Sequence, residues 1–403
     1  MSRIYYYNPT FEMAIAHGHH SYQPPDRLKQ FEVDLGEILL FLATGNDIVI
    51  NQHSTNEQFV DFWRQVNKSM PHFLKLEQIK DVVHKERYVP TPWGISKQAF
   101  HLFNSKGFSF QKATVEGNDW NPELRQFFSR ETSAIFEKKW LSGTIPDFCQ
   151  LKHIPQIICS QTELCTFLKN KELSLVIKSL WSSSGRGIFV VKDAWHINPA
   201  ITWASGRLRH DKGVIIEKWM HKVADFSFQF HLGADNTITF LGINYFSTDT
   251  EGRFDKEWIH QPEIFELIKR EKQLPADWEE QCVIHLTKTL QSMQWHTKYV
   301  GIIGMDAMVI KEDDGKLRVR CCVEINFRYN MGLVNMALKS HISESAKGHW
   351  QITQFEPHQW IDFYHQQSQE YPAIIENNKL RSGFFPLVSP LQERIYAAWG
   401  VLQ

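Results

Sequence analysis

Residues 323–330 alternate between apolar and polar side chains, which is typical of a β-strand with two different faces. The apolar side chains on one face would be Val323, Ile325 and Phe327. The polar side chains on the other face would be Glu324, Asn326, Arg328 and Asn330. Such a polar face suits a polyanion held through a divalent cation, because hard oxygens bind the metal and a planar guanidinium faces charged oxygens. The pattern therefore predicts a nucleotide-phosphate site.

The first part of the chain alternates short strand-like runs with helical ones, for example at residues 4–7, 11–17, 35–43 and 47–51. This order predicts a small α/β lobe with a parallel sheet. Turn-forming residues are concentrated at 116–122, which indicates a boundary. A helical stretch is predicted after it, over residues 123–141.

The rest of the chain predicts antiparallel hairpins. The predicted strands are residues 175–178, 188–191, 213–220, 226–232, 237–244, 299–310 and 317–327. A loop rich in serine and glycine connects the first two strands, and Asp314-Gly315, a strong two-residue turn signal, connects the last two. A helix is predicted over residues 278–293, and the aromatic-rich residues after 336 receive no predicted role.

Composition restricts the class of protein. A chain of 403 residues is too long for one compact core, and its hydrophobic content of 42% and charged content of 22% are ordinary for a globular protein. The net charge of −1 gives no field that would favour nucleic acid or an anionic membrane, so neither is an expected partner. Residues 38–43 are the longest apolar run near the start, far short of a bilayer span, and no secretory signal precedes them.

Cysteine spacing favours a reducing compartment. The six cysteines include no Cys-x-x-Cys pair, and the adjacent Cys321 and Cys322 would face opposite sides of a strand. This pattern suits free thiols in the cytoplasm better than a disulfide framework.

The residues that carry candidate chemistry converge on phosphate and metal binding. Asp306, on the strand before Glu324, would join Glu324 and Asn326 to offer oxygen ligands for one or two Mg²⁺ ions. Lys178 ends a strand where it would neutralise a phosphate. In the loop that follows, Gly185 and Gly187 would let backbone N–H groups and serine hydroxyls wrap phosphate oxygens.

A fourth segment would bind the base of a nucleotide. The apolar strand that ends in Glu217, Lys218 and Trp219 can offer backbone groups to a purine edge and an apolar wall to the ring. The chain has no Gly-x-x-x-x-Gly-Lys-Ser/Thr run, no Gly-x-Gly-x-x-Gly after a strand, and neither of the His-Glu-x-x-His and Gly-x-Ser-x-Gly motifs. In a protein kinase the glycine loop precedes its lysine, whereas here Lys178 precedes Gly185.

These motifs, in this order, resemble the ATP-grasp superfamily, and in particular its carboxylate–amine ligase branch. The hinge, residues 217–220, and the predicted metal strand, residues 324–328, are similar to those of D-alanine–D-alanine ligases. The Ser-Gly-Arg-Gly loop is closer to biotin-carboxylase-type members. The resemblance covers roughly residues 126–340. It implies an α/β fold in which an N-terminal pre-ATP-grasp lobe, residues 1–125, precedes a two-lobed α+β domain with antiparallel sheets. The small lobe would be residues 126–213 and the large lobe residues 214–403.

The resemblance also implies roles for individual residues. Lys178 would contact the α- and β-phosphates, and Arg328 would stabilise the transferred phosphate or the oxyanion of a tetrahedral intermediate; these two are the expected catalytic residues. The loop that closes over the β- and γ-phosphates would be Ser182, Ser183, Ser184, Gly185, Arg186 and Gly187. The other nucleotide contacts would be Glu217, Lys218 and Trp219 at adenine, Asp225 at the ribose, and Arg130 in place of the family's earlier lysine. The metal ligands would be Asp306, Glu324 and Asn326, for Mg²⁺ with Mn²⁺ as an alternative ion.

The expected activity is an ATP-dependent ligation in which a carboxylate becomes an acyl-phosphate and an amine, or less readily a thiol, displaces phosphate. The substrates would be a small molecule or peptide with a carboxylate and an amine co-substrate, and the enzyme would be a candidate homodimer. Two alternatives stay open from the sequence: a kinase that phosphorylates a hydroxyl, and an ATP-binding regulator without turnover.

For single residues and short segments, alternative roles also stay open. Residues 324–328 could be a solvated edge strand with a salt bridge, Arg130 a helix-surface cation, and Asp225 a turn residue. The His17-Gly-His19-His20 run could hold a metal or form a loop near the substrate.

Overall fold

The computed structural model describes residues 1–67, 69–110, 122–169, 174–182 and 187–403. Most of the predicted boundary, residues 116–121, lies outside the described residues. So do four residues of the predicted phosphate loop, namely Ser183, Ser184, Gly185 and Arg186.

A four-stranded parallel sheet, here called the parallel sheet, opens the chain. Its strands, in the spatial order β3-β2-β1-β4, are β1 (Ser2–Tyr6), β2 (Ile48–Ile50), β3 (His72–Leu74) and β4 (Tyr88–Pro92). The helices around it are α1 (Phe11–His17), α2 (Asp26–Leu35), α3 (Glu57–Arg64) and α4 (Lys97–Ser105). The predicted parallel sheet is therefore confirmed. The apolar residues 35–43 form mainly a 3-10 helix, Gly36–Phe41.

The helical stretch predicted at residues 123–141 is two helices, α5 (Pro122–Phe127) and α6 (Arg130–Leu141). Ser129 separates them in an extended conformation, with φ −84° and ψ 158°. At this break the Arg130 N–H donates to the Leu180 carbonyl at 2.9 Å, so the start of α6 is fixed by a contact distant in sequence.

A second sheet, the small sheet, has four antiparallel strands in the order β5-β8-β6-β7. Its strands are β5 (Gln156–Ile158), β6 (Leu175–Ser179), β7 (Ile188–Val191) and β8 (Val214–Lys218). Helices α7 (Gln161–Lys169) and α8 (Ile197–Asp211) pack on one side, where Ala200 and Ala204 are fully buried against the strands. The predicted hairpin is confirmed, with Lys178 paired to Ile188 next to its tip.

The third sheet, the large sheet, has nine strands in the order β13-β12-β9-β10-β11-β14-β17-β16-β15. Its strands are β9 (Lys222–Leu232), β10 (Ile238–Thr248), β11 (Phe254–Trp258), β12 (Gly301–Lys311), β13 (Leu317–Asn326), β14 (Gly348–Gln354), β15 (Ile374–Glu376), β16 (Lys379–Pro386) and β17 (Tyr396–Leu402). Its helices are α9 (Glu263–Arg270), α10 (Trp278–Ser292), α11 (Met331–Lys339) and α12 (Gln359–Glu370). The aromatic-rich residues after 336 thus supply four strands of this sheet.

The core of the large sheet follows from side-chain periodicity. Phe226, Phe228 and Phe230 alternate along β9 and are fully buried. The buried residues of α10 recur every four positions, as expected for one face of a helix. They are Trp278, Cys282, Leu286 and Leu290. The Phe226 and Trp278 rings meet edge to face with centroids 5.4 Å apart, so the sheet and the helix share one apolar layer. No helix in the described residues combines the length and the apolar character that crossing a membrane requires.

The predicted last hairpin is confirmed as β12 and β13. The Glu312 N–H donates to the Lys316 carbonyl at 2.9 Å, so three residues form its tip, one more than the two-residue turn that was predicted. Gly315 has φ +81°, which a glycine adopts without steric cost and which explains the Asp-Gly signal.

A buried carboxylate joins the parallel sheet's helices to the far end of the large sheet. Glu37, 1% exposed, lies 2.7 Å from the Arg394 guanidinium, which is itself fully buried. Glu37 also accepts from the Ser389 N–H at 2.6 Å and from the Asn51 amide at 2.8 Å. Because Ser389 and Arg394 lie between β16 and β17, this carboxylate couples residues more than 350 positions apart.

Replacing Glu37 by alanine would leave the buried Arg394 guanidinium without its carboxylate. We expect the Glu37→Ala variant to lose about 3–5 kcal/mol in free energy of unfolding, measured by urea denaturation. The matched control is Glu393→Ala, because the Glu393 side chain is 55% exposed and should change stability by less than about 0.5 kcal/mol. Equal denaturation midpoints for the two variants would contradict the coupling.

Candidate nucleotide and metal site

A cleft of about 770 Å³ separates the small sheet from the large sheet. Lys178 and Glu217 line it from the small sheet, whereas Asp306 and Glu324 line it from the large sheet. Trp93, directly after β4, closes one side. Lys178 and the three predicted metal ligands therefore face the same space.

The predicted metal ligands are adjacent on β12 and β13. Asp306 lies directly opposite Glu324, and Gly304 lies opposite Asn326. The Asn326 amide donates to Asp306 Oδ2 at 3.1 Å. Burial, reinforced by the neighbouring Glu324 charge, raises the pKa of Asp306 to about 7. Two carboxylates this close and this poorly solvated repel each other, and a divalent cation would relieve that repulsion.

The metal strand is an edge strand, but its polar face does not lie in open solvent. β13 ends the large sheet, and α6 covers it: the Ile325 N–H donates to Ser133 Oγ at 2.9 Å. Arg130, 6% exposed, lies 3.1 Å from Glu324 Oε1 and donates to the Ser179 carbonyl at 3.0 Å. The salt bridge that the alternative for residues 324–328 includes is thus present. The solvated edge strand of that alternative and the predicted helix-surface position of Arg130 are wrong.

Lys178 belongs to a buried network of alternating charges. Its ammonium group forms an ion pair with Glu217, and Glu217 Oε2 lies 2.7 Å from an Arg320 nitrogen. Arg320 binds Glu137 of α6 through two hydrogen bonds of 2.8 Å each. All four side chains are less than 10% exposed, and their two positive and two negative charges cancel.

The network holds Glu217 in its ionised form. Burial by itself raises the pKa of this carboxyl, but Arg320 and Lys178 together outweigh burial and lower the pKa to about 2. Glu217 was predicted to contact adenine chiefly through its backbone. Its side chain fixes the ammonium group of Lys178 at the wall of the cleft, and the adenine contact stays a prediction.

The described ends of the predicted phosphate loop are Ser182 and Gly187. Gly187 has φ +69°, and a Cβ atom there would lie 2.8 Å from the Ser182 side chain and would also collide with Ser179. The Ser179 N–H donates to the Gly187 carbonyl at 2.9 Å, which closes the base of the loop. Only glycine fits this close approach without strain.

The hinge between β8 and β9 is partly occupied by protein contacts. The Trp219 N–H donates to the Ser174 carbonyl at 2.9 Å, and the Trp219 carbonyl accepts from Ser174 Oγ at 3.2 Å. A purine edge at the hinge would therefore use neighbouring backbone groups or displace these bonds. The Lys218 ammonium group lies 3.4 Å from Asp313 at the tip of the last hairpin.

Asp225 lies within β9, so the alternative that it is a simple turn residue is wrong. Its Oδ2 atom accepts from the Lys222 ammonium at 2.6 Å, and from the Thr248 N–H at 3.0 Å and hydroxyl at 2.8 Å. Asp225 and Lys222 both line the cleft on the hinge side.

Arg328 is tied to the N-terminal part of the chain. Its Nε lies 3.3 Å from Glu12 Oε1 on α1, and its Nη1 donates to the Tyr329 carbonyl at 3.2 Å. Burial raises the pKa of Glu12, an effect that the Arg328 charge partly offsets. Sequence reasoning missed the charged residues Glu12, Glu137 and Arg320. Of these three, Arg320 has a sequence signal, because it lies four residues before Glu324 on the same strand.

The His17–His20 run gives no three-donor metal group in the described part of the chain. The His20 ring contacts those of His19 and His101 in tilted arrangements, each at a centroid distance of 4.4 Å, and His19 Nδ1 lies 2.7 Å from Ser21 Oγ.

Comparison with known proteins identifies the architecture. No family model matches the sequence. Biotin carboxylase from Campylobacter jejuni superposes with a TM-score of 0.52 at 10% identity, over 100% of this chain and 87% of that one. The biotin carboxylase domain of a Hydrogenobacter thermophilus 2-oxoglutarate carboxylase gives 0.50 at 12% identity, over 100% and 86%. The chain has the ATP-grasp fold.

One curated protein is similar to this chain in sequence. The [butirosin acyl-carrier protein]–L-glutamate ligase of Niallia circulans is 22% identical over 296 residues, which is 72% of this chain. The chain spans 63% of that relative's length.

The end of the ATP-grasp cleft away from the small sheet is lined by amides and one carboxyl group. Asn244 donates to Glu257 at 2.6 Å and accepts from Asn335, which in turn accepts from the Trp350 indole at 2.9 Å. The strand predicted over residues 237–244 is longer in the structure: β10 continues to Thr248 and presents Asn244 from within the strand.

Residues near both ends of the sequence complete this wall of the cleft. Tyr396 and Gln354 line it from β17 and β14. Arg27 of α2 donates to the Tyr396 hydroxyl at 2.8 Å and to the side-chain oxygen Oε1 of Gln354 at 2.5 Å. The wall that faces the predicted metal site thus depends on contacts between α2 and the late strands.

Glu257 provides a pH test of this wall of the ATP-grasp cleft. Burial raises its pKa to about 8, and the Asn244 amide only partly opposes the shift. Because this pKa lies above the unfolded value of about 4.3, the folded state binds one more proton between the two values, and stability falls as pH rises between them. We expect the wild-type free energy of unfolding, relative to Glu257→Gln, to fall by up to about 1.4 kcal/mol per pH unit up to about pH 8 and then level off. Urea denaturation of both proteins from about pH 5 to 9 measures this difference, and a constant difference would contradict the assignment.

Proposed function

We propose that this protein is an ATP-dependent ligase that joins a carboxylate to an amine, or to a thiol, through an acyl-phosphate, releasing ADP and phosphate. The observation that carries the proposal is the position of Lys178 opposite the Asp306–Glu324 pair across one cleft. The relative from Niallia circulans is by name a ligase that acts with L-glutamate and an acyl-carrier protein. A small molecule, a peptide or a protein-bound group is therefore a reasonable substrate class for this chain.

The nucleotide would lie along the cleft from the hinge to the metal strand. Its adenine would contact residues 217–219, its ribose Asp225, and its phosphates Lys178, Arg130 and the loop that ends at Gly187. Lys178 would exchange part of its ion pair with Glu217 for phosphate oxygens, and Glu217 would keep Arg320 as a partner. The buried network would thereby tolerate the loss of one ion pair without an isolated charge.

The residues at the metal strand fit Mg²⁺. Asp306 and Glu324 supply two carboxylates, and Asn326 supplies an amide oxygen once its side chain turns from its donor contact with Asp306. One or two Mg²⁺ ions bound there would neutralise phosphoryl charge, and Mn²⁺ would be the alternative ion. Arg130 would stay on Glu324 and keep that carboxylate ionised and oriented.

Chemistry beyond the γ-phosphate would rely on positioning and electrostatics. The substrate carboxylate would attack the γ-phosphate, and Arg328 would stabilise charge on the transferred phosphate and then on the tetrahedral oxyanion. Glu12 would orient the Arg328 guanidinium from the opposite side. The acceptor would approach along the wall formed by Asn244 and Glu257.

Six free cysteines support a reducing compartment such as the cytoplasm, and a homodimer stays a prediction.

Product analysis tests the reaction class. We expect purified protein with Mg-ATP to release ADP and phosphate only when a suitable carboxylate and acceptor are both present, with a new amide or thioester detected by mass spectrometry. A stable phosphoester would instead identify a kinase. Tight Mg-ATP binding without turnover across a broad set of carboxylates and acceptors would identify a regulator.

Removing one metal ligand should separate metal binding from nucleotide binding. We expect Glu324→Gln to abolish turnover and to weaken Mg²⁺-dependent ATP binding at least about tenfold, because a neutral amide replaces a carboxylate ligand. The matched control is Glu312→Gln, on the tip of the same hairpin and away from the cleft, which should keep both properties. Titration calorimetry with and without Mg²⁺ measures the effect. Full activity of Glu324→Gln would remove the metal assignment.

Removing the cleft lysine tests the phosphate assignment. We expect Lys178→Met to weaken ATP and ADP binding by about 2–3 kcal/mol and adenosine binding by far less, because only the phosphates would contact the ammonium group. Lys152→Met is the control, since that lysine is 78% exposed. Equal losses for ADP and adenosine in calorimetry would show that Lys178 acts on the fold rather than on phosphate.

A further inference from the structure

Three thiols meet in the interior, on the side of β13 that faces away from Arg320. The Sγ atoms of Cys149, Cys282 and Cys321 lie 3.7, 3.6 and 3.5 Å apart in pairs. Each side chain is at most 1% exposed, and each comes from a different segment: the 3-10 helix Asp147–Cys149, helix α10 and strand β13. None of the three lines the nucleotide cleft.

The spacing of these sulfur atoms matches a metal site better than a disulfide. A tetrahedral zinc ion with Zn–S bonds of about 2.3 Å separates its sulfur ligands by about 3.8 Å. The three observed separations are within a few tenths of an ångström of that value. A disulfide requires about 2.05 Å, which would need a movement of more than about 1 Å and would leave the third thiol unpaired.

We propose that Cys149, Cys282 and Cys321 bind one Zn²⁺ ion through three thiolates. Thiolates are preferred ligands of this borderline-soft cation, and a closed, buried arrangement is typical of structural zinc sites. His285 follows Cys282 by three residues on α10 and is the candidate fourth ligand; its side chain would have to turn towards the thiols, because neither ring nitrogen lies within 4.8 Å of all three sulfur atoms. Three S–H bonds break and three S–Zn bonds form, so binding releases three protons to solvent and leaves a net charge of −1 on the site.

The site would have a structural role for the cleft. Cys321 lies three residues before Glu324 on β13, so a metal there would tie the strand that carries Glu324 to α10 and to residues 147–149. Because all three ligands are buried, the ion would enter during folding rather than through the finished surface. This role does not depend on the reaction that the cleft performs.

Elemental analysis of the full-length protein tests the proposal. Protein from zinc-supplemented cultures, purified without chelators, should contain about one zinc per chain. Cys149→Ser and Cys321→Ser should contain less than about one fifth of that amount, and their melting temperatures should fall by several degrees. The matched control is Cys322→Ser, because Cys322 is equally buried on the same strand but points towards the Ser133 carbonyl, 3.9 Å away. The control should keep its zinc.

Cobalt substitution keeps the test decisive if the serine variants fail to fold. Wild-type protein denatured with a chelator and refolded with Co²⁺ should show the intense sulfur-to-cobalt charge-transfer band and the visible bands of a tetrahedral thiolate site, and His285→Ala should change the visible bands. The proposal is overturned if zinc-supplemented wild-type protein contains no zinc and refolds with Co²⁺ without these bands. It is also overturned if a thiol titration of the denatured, unreduced protein finds four free thiols, which would indicate a disulfide.

Discussion

Glu217 forms ion pairs with two basic side chains that belong to two different sheets, and the geometry of the cleft depends on this carboxylate. Lys178 reaches it from β6 of the small sheet, and Arg320 reaches it from β13 of the large sheet. Glu137 of α6 also binds the Arg320 guanidinium, so the network contains two positive and two negative charges. Each group is too deeply buried to be solvated alone, so the two walls of the cleft keep the separation at which all four charges are paired. Under the proposed function, a triphosphate in the cleft would compete for Lys178 and would thereby weaken one of the ion pairs that connect the two walls.

A second set of charges links the metal strand to the rest of the chain. Arg130 binds Glu324 from the start of α6, and Glu12 binds Arg328 from α1. The C-terminal end of β13 and Arg328, which follows it, are therefore held by side chains that lie outside the large sheet. This arrangement explains how an edge strand can present charged groups without becoming a pairing surface for another strand: α6 covers the free edge and Ser133 caps the Ile325 N–H.

The sequence was sufficient for the elements with strong periodicity. The alternation in β12 and β13, the Asp-Gly turn and the Lys178 hairpin all indicated the antiparallel architecture, and the order of the motifs indicated the ATP-grasp fold. Residues whose partners are distant could not be predicted, because no local pattern records a partner. Glu137 and Arg320 are 183 positions apart, and each alone resembles an ordinary charged residue. The break at Ser129 was missed for the same reason, since a contact with Leu180 fixes it.

The contacts of Arg27 with Tyr396 and Gln354 have a consequence for how the shape of the cleft can change. The wall that contains Tyr396 and Gln354 is shared between α2 and the last strands of the large sheet, so neither segment defines its shape alone. A chimera that exchanged only the parallel sheet and its helices with a homologue would place a foreign surface against Tyr396 and Gln354. New substrate preferences would therefore arise most readily when both segments are inherited together, as a co-adapted pair.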